Sequence, residues 1–200
     1  MVIQAQNAEI RDFIADFAVL PVFLGKPTRK FAMLDKLFKG ALSAEIEDSE
    51  FKGAAGELLT VFAGDKIKAK KIVLLGSGER RQYSAEVLRR SAAGLFKAGN
   101  KMAGHIAFDL GETSLGIGLE KAAEALAEAA LLAKYEFSKY KEKTPKKKNK
   151  DTELILLLDE KKYLRPVESG IGAGKLLSTA TVYARDLVNE PASICVPSHL

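Results

Sequence analysis

Three stretches of this 200-residue chain combine residue types and spacing that could do chemistry. Gly76-Ser77-Gly78 follows an apolar run and precedes a helical pattern, so its backbone amides could cradle a phosphate. Arg81 takes the place of the third glycine of a dinucleotide fingerprint, and the P-loop spacing fails too. A plain tight turn is therefore the preferred reading. The second stretch, 141–150, holds six lysines and one glutamate. It carries the whole net charge of +5, which leaves the other 190 residues neutral. Lys146, Lys147, Lys148 and Lys150 are the candidate nucleic-acid contacts, sequence-independent and salt-sensitive. Tyr135, Phe137 and Tyr140 precede the run without interleaving, so no base-stacking strip is evident, and a solvated connection is preferred. The third stretch gathers Arg185, Asp186, Asn189 and Glu190 at a helix end, with Pro191 closing it. Arg185 and Glu190 could anchor an interface and Asn189 could cap, so a structural role is expected.

Other chemistry is sparse. The lone Cys195 allows no intrachain disulfide, which fits a reducing cytoplasm. The two histidines, His105 and His199, make no His-x-x-x-His pair, so a zinc site built on histidine or cysteine is not expected. No cofactor is expected on the chain itself. Glu45, Glu47, Asp48 and Glu50 read as a solvated loop. Phe17 to Leu24 is too short to span a bilayer and lacks a basic leader, so neither a membrane segment nor a signal peptide is read there.

The elements that must position these residues follow from periodicity. Apolar runs at Phe17–Leu24, Leu58–Ala63, Lys70–Gly76, Ile106–Leu110 and Glu153–Asp159 read as strands, several buried on both faces. Pro21 argues that the first of these is an edge strand or carries a bulge. Helical spacing covers 29–42, 84–97, 119–134 and 167–189. In the last helix Ala173, Leu176, Leu177, Ala180, Tyr183, Ala184, Leu187 and Val188 share a stripe, while Gly170, Gly172 and Gly174 weaken its start. The alternation predicts an α/β layered fold with a mixed, largely parallel sheet flanked by helices, followed by a long linker helix.

Tyr183-Ala184-Arg185-Asp186-Leu187-Val188-Asn189-Glu190-Pro191 resembles the segment that joins the two domains of the leucyl aminopeptidase (cytosol aminopeptidase) family. Phe51-Lys52-Gly53-Ala54-Ala55-Gly56-Glu57, Ile72 to Gly78, and Leu131 to Lys141 resemble further family segments in the same order. Ala192-Ser193 departs from the proline- or asparagine-rich turn more usual there. The resemblance implies a macro-domain-like N-terminal domain over 1–160, a linker helix over 161–190, and the start of a catalytic domain over 191–200, with Pro197 at its opening. It implies a cytoplasmic, hexameric parent enzyme that removes N-terminal residues, preferentially leucine, using two divalent ions, manganese or zinc. The family's metal-binding Gly-Lys-Gly and Asn-Thr-Asp segments do not occur in this chain. These residues are expected to be catalytically silent, with the catalytic domain and further copies as partners. DNA binding through the lysine run is the alternative, and an ADP-ribose-type ligand at Gly76–Gly78 is a third.

Overall fold

The computed structural model describes residues 1–25, 27–97, 104–141 and 152–194. They form strands β1 Val2–Asn7, β2 Phe17–Val22, β3 Leu58–Phe62, β4 Lys71–Gly76, β5 His105–Asp109 and β6 Glu153–Leu158. The helices are α1 Arg29–Leu37, α2 Ala41–Asp48, α3 Ala85–Lys97, α4 Leu110–Thr113, α5 Leu119–Leu132 and α6 Leu164–Asn189. The sheet order is β1-β6-β5-β2-β4-β3. Every neighbouring pair is parallel except β3 with β4, which is antiparallel. The expected mixed, largely parallel sheet is what forms.

Each sheet face has its own apolar core. Val19, Val73, Leu75, Phe108 and Leu156 pack with α3 and α5 on one side. Ala18, Leu20, Ile72, Leu74 and Ile155 pack with Phe31, Leu34 and Leu42 of α1 and α2 on the other. Side chains of a strand alternate between faces, so a strand apolar at every position feeds both cores.

Pro21 does not mark an edge. β2 lies between β5 and β4. Its pairing with β5 covers only Phe17–Val19, so Pro21 lies beyond that ladder. Val22 turns its carbonyl toward β4, accepting from the Ser77 amide at 2.8 Å. By alternation Pro21 turns away from β4, and its missing N–H interrupts no ladder. β1, the true edge beside β6, is absent from the periodicity reading because Val2–Asn7 alternates weakly.

The helix expected over 29–42 is two helices. Lys39 and Gly40 both adopt positive φ, 55° and 84°. Asp35 then starts α2 from outside, accepting from the Ser43 amide at 3.0 Å and from its hydroxyl at 2.5 Å. Glu45, Glu47 and Asp48 are exposed as expected, but they lie on α2 rather than in a loop.

α6 packs against α5 closely through its small residues, with Val167 and Ile171 joining the core beside them. Val167, Gly170, Ile171, Gly174 and Ser178 are the buried face. A β-carbon at Gly170 would stand 2.2 Å from the Glu120 carbonyl oxygen, and one at Gly174 2.6 Å from that of Glu124. The glycines that weaken the helix locally let two backbones meet. Most of the stripe read as its apolar face is turned outward, with Leu176 72% exposed, Tyr183 61% and Val188 85%, while Ala173 and Leu187 are half-buried.

Candidate functional site

The Gly76–Gly78 turn is committed to the backbone. The Gly76 amide donates to Glu57 O, the Ser77 amide to Val22 O and the Gly78 amide to Gly53 O, each at 2.8 Å. No amide of the three is left for a phosphate, so the ADP-ribose-type reading loses its support. The partner loop is the Phe51–Glu57 segment. Gly53 and Gly56 take positive φ there, and the Glu57 carboxylate accepts from the Lys52 and Ala54 amides at 2.8 and 2.9 Å. Those amide bonds hold the Glu57 pKa below its ordinary value. The two glycine motifs are thus halves of one clasp.

The helix-end cluster is also structural in its contacts. The Tyr135 hydroxyl donates to Asp186 at 2.7 Å, and Arg185 lies 5.5 Å over the Tyr135 ring. Asn189 donates to the Arg185 carbonyl inside the helix at 2.7 Å and to the Tyr135 hydroxyl at 3.3 Å, while the end of α6 is closed by the Glu190 amide, which donates to the Asp186 and Leu187 carbonyls. Glu190 takes Lys139 at 2.6 Å and the Tyr140 hydroxyl. The 135–141 segment therefore braces the end of α6, and Pro191 follows directly. Lys141 pairs with Glu136 at 3.0 Å. Lys146, Lys147, Lys148 and Lys150 lie outside the described residues, as do Cys195, Pro197 and His199. His105 opens β5 and faces Glu153 at 3.2 Å, in the structural place expected.

A further cluster was not singled out by sequence. Asp109 ends β5, Asp159 follows β6, and Lys30 stands in the first turn of α1. The Lys30 ammonium bridges Asp109 at 2.5 Å and Asp159 at 2.6 Å. Asp109 is 1% exposed, and its other oxygen caps α4 by accepting from the Glu112 amide at 3.0 Å. Glu112 Oε1 accepts from the Lys30 amide at 3.3 Å, filling the start of α1. Burial pushes the Asp109 pKa up, against the pull of Lys30. Burial lowers that of Lys30, but the two aspartates outweigh it and hold the ammonium above its ordinary range. The aspartate registers its burial and the lysine registers its partners.

Lys30, Glu112 and Asp159 of this cluster line a cavity of about 780 Å³ together with Arg29 and further residues of α1 and with Glu9–Arg11 after β1. It opens at the carboxyl ends of β1, β2, β5 and β6, where open α/β sheets bind ligands. An aspartate closing an apolar run, as Asp109 and Asp159 do, is the sequence signal that points there. Among the described residues no group of three or more His, Cys, Asp or Glu is placed to hold a metal ion. The residues do not fit a metal centre, and no chemical step runs through one here. No described helix is long and apolar enough to cross a membrane.

Residues 19–144 match the model of the cytosol aminopeptidase family, N-terminal domain. A probable cytosol aminopeptidase of Alkaliphilus oremlandii is 31% identical over 99% of this chain and 40% of its own length. That of Alkaliphilus metalliredigens is 31% identical over 84% of this chain and 34% of its own. A tomato leucine aminopeptidase mutant superposes with a TM-score of 0.76 at 20% identity, covering 99% of this chain and 40% of that one. The bottromycin maturation enzyme BotP in complex with Mn does so with 0.63 at 21% identity, over 92% and 34%. At such identity these two structures establish the fold. The chain spans 40% or less of the length of these proteins.

Proposed function

This chain belongs to the cytosol aminopeptidase family, and from that premise we propose that it is the non-catalytic N-terminal domain of a two-metal leucyl aminopeptidase. The observation that carries the reading is the alignment of 99% of this chain with 40% of a probable cytosol aminopeptidase. In this reading residues 1–160 are the domain, 161–190 the linker helix, and 191–200 the start of the catalytic half. Arg185, Asp186, Asn189 and Pro191 form the junction. The parent removes N-terminal residues, preferentially leucine, in the cytoplasm as a hexamer. Its two divalent ions, manganese or zinc, belong to the catalytic half.

Two features support a role in assembly. The outward apolar stripe of α6 is a surface of the kind that partners cover. The brace of Tyr135 and Tyr140 on Asp186 and Glu190 fixes the direction in which the chain leaves at Pro191. The test is hydrolysis of a leucine anilide with manganese or zinc. The purified chain should be silent and the protein carrying both halves active; metal-dependent turnover by this chain alone would falsify the reading. The concentration of all +5 net charge in 141–150 favours DNA binding as a second reading.

A further inference from the structure

We propose that the open edge of β3 is a self-pairing surface. A second copy of this chain adds its own β3 there, antiparallel, about a two-fold axis through Thr60. The proposal goes beyond the aminopeptidase reading and stands without it.

β3 is paired on one side only, with β4. The Gly76 amide donates to Glu57 O at 2.8 Å and the Ala63 amide to Lys70 O at 3.1 Å. These bonds flank a register that sets Leu59 opposite Leu74 and Val61 opposite Ile72. In an antiparallel ladder the bonded residues alternate along the strand. Glu57, Leu59, Val61 and Ala63 therefore face β4, while Leu58, Thr60 and Phe62 turn their N–H and C=O groups to the open edge. Among the described residues none of those groups has a hydrogen-bond partner. Proteins blunt such an edge with lysine, proline or a bulge. Leu58-Leu59-Thr60-Val61-Phe62 has none of the three.

The edge is complementary to itself. A two-fold axis through Thr60 sets Thr60 against Thr60 of the second copy, and Leu58 against its Phe62 twice over. These are the outward-bonding residues, so each of the three pairs exchanges both of its N–H···O bonds and no edge group is left over. Their side chains share one face. That face is open, with Leu58 38% and Phe62 73% exposed. Threonine against threonine is a favourable cross-strand pair, and Leu58 against Phe62 removes apolar surface from water. Glu57 falls opposite Ala63, and the Lys52 and Ala54 amides already hold its carboxylate, so no like charges meet along the seam. A seam of this length buries less than the roughly 1,200 Å² of lasting complexes. The pairing is therefore a weak, reversible dimer.

Sedimentation of this chain from about 10 μM to about 1 mM reads the association. The mass should rise toward that of a dimer, and hydrogen exchange at the Leu58, Thr60 and Phe62 amides should slow about threefold with it. Thr60→Lys and Thr60→Glu change an exposed side chain whose backbone is not bonded to β4, so both keep the fold. Each sets like charges against each other on the axis and should weaken association about tenfold. An equimolar mixture of the two variants should recover it, because opposite charges then meet there. A chain that stays monomeric up to about 1 mM, undiminished association of either variant, or a mixture no tighter than its components overturns the proposal. Association that survives in both Thr60 variants but is lost when Leu176, Tyr183 and Val188 are changed to Gln belongs to α6 and overturns it too.

Discussion

Gly170 of α6 and Glu120 of α5 approach so closely that a β-carbon on Gly170 would stand 2.2 Å from the Glu120 carbonyl oxygen. Neither backbone can yield without parting the two helices. Gly172, one residue past Ile171, has nothing within 4 Å of its β position. Gly170→Ala should therefore destabilise by about 1–3 kcal/mol or more through overpacking. Gly172→Ala should stabilise by roughly 0.5–1 kcal/mol by removing the helix penalty of glycine. Urea melts of the two variants check the opposite signs.

Removing Lys30 strands Asp109. Breaking a fully buried pair costs about 3–5 kcal/mol, and the partial exposure of Lys30, 21% of its side chain, lowers the expectation for Lys30→Met to about 2–3 kcal/mol. With the lysine gone, burial and the charge of Asp159 act on Asp109 against only the Glu112 amide, and its folded pKa, already raised, rises further. Folding then takes up a proton, so stability is retained at low pH and lost as pH rises through the folded pKa. Melts should show a larger deficit at neutral pH than in mild acid. A deficit independent of pH would contradict this account.

Asp16 should behave with the opposite sign. It accepts from Lys70 at 2.6 Å and from the His105 amide at 2.9 Å. The Lys70 hydrogen bond leads in pulling its pKa below the ordinary aspartate value. Its contribution is fully present above the unfolded pKa of about 3.9 and is lost as pH falls through the folded pKa. Asp16→Asn should therefore lower stability across neutral pH, and its gap to the parent should close in acid. Acid titrations by circular dichroism of both proteins measure that closure.

The outward stripe of α6 gives a prediction about assembly. Leu176→Gln, Tyr183→Gln and Val188→Gln change exposed positions, so this chain should keep its stability within about 0.5 kcal/mol. In the protein with both halves, the triple variant should lower the melting temperature or loosen the oligomer. Sedimentation and thermal melts of the two lengths in parallel separate these outcomes.

For the lysine run, duplex DNA binding is measured at low and moderate salt. Changing Lys146, Lys147, Lys148 and Lys150 to Ala should weaken affinity and flatten the salt slope if the run contacts phosphates. Unaltered affinity and slope would remove DNA from the reading.

By itself the sequence determined the layered class, the strands from β2 to β6, the extent of α3 and α5, and the family. Apolar runs and helical spacing are local properties, and the glycine motifs and the Arg185–Pro191 segment are local signatures. The break between α1 and α2 was hidden because Lys39, a non-glycine, takes positive φ there. What only the tertiary structure decided depends on residues far apart in the chain. Pro21 sits in a central strand because the neighbouring ladder ends before it. Gly76 is required because the Ala54 carbonyl comes to where its β-carbon would lie. Most of the apolar stripe of α6 points outward because its glycines meet α5. Lys30, Asp109, Glu112 and Asp159 become one site because the carboxyl ends of parallel strands converge on the first turn of α1. Spacing along a chain reports which residues share a face, but not which face finds a partner or which distant charge completes it.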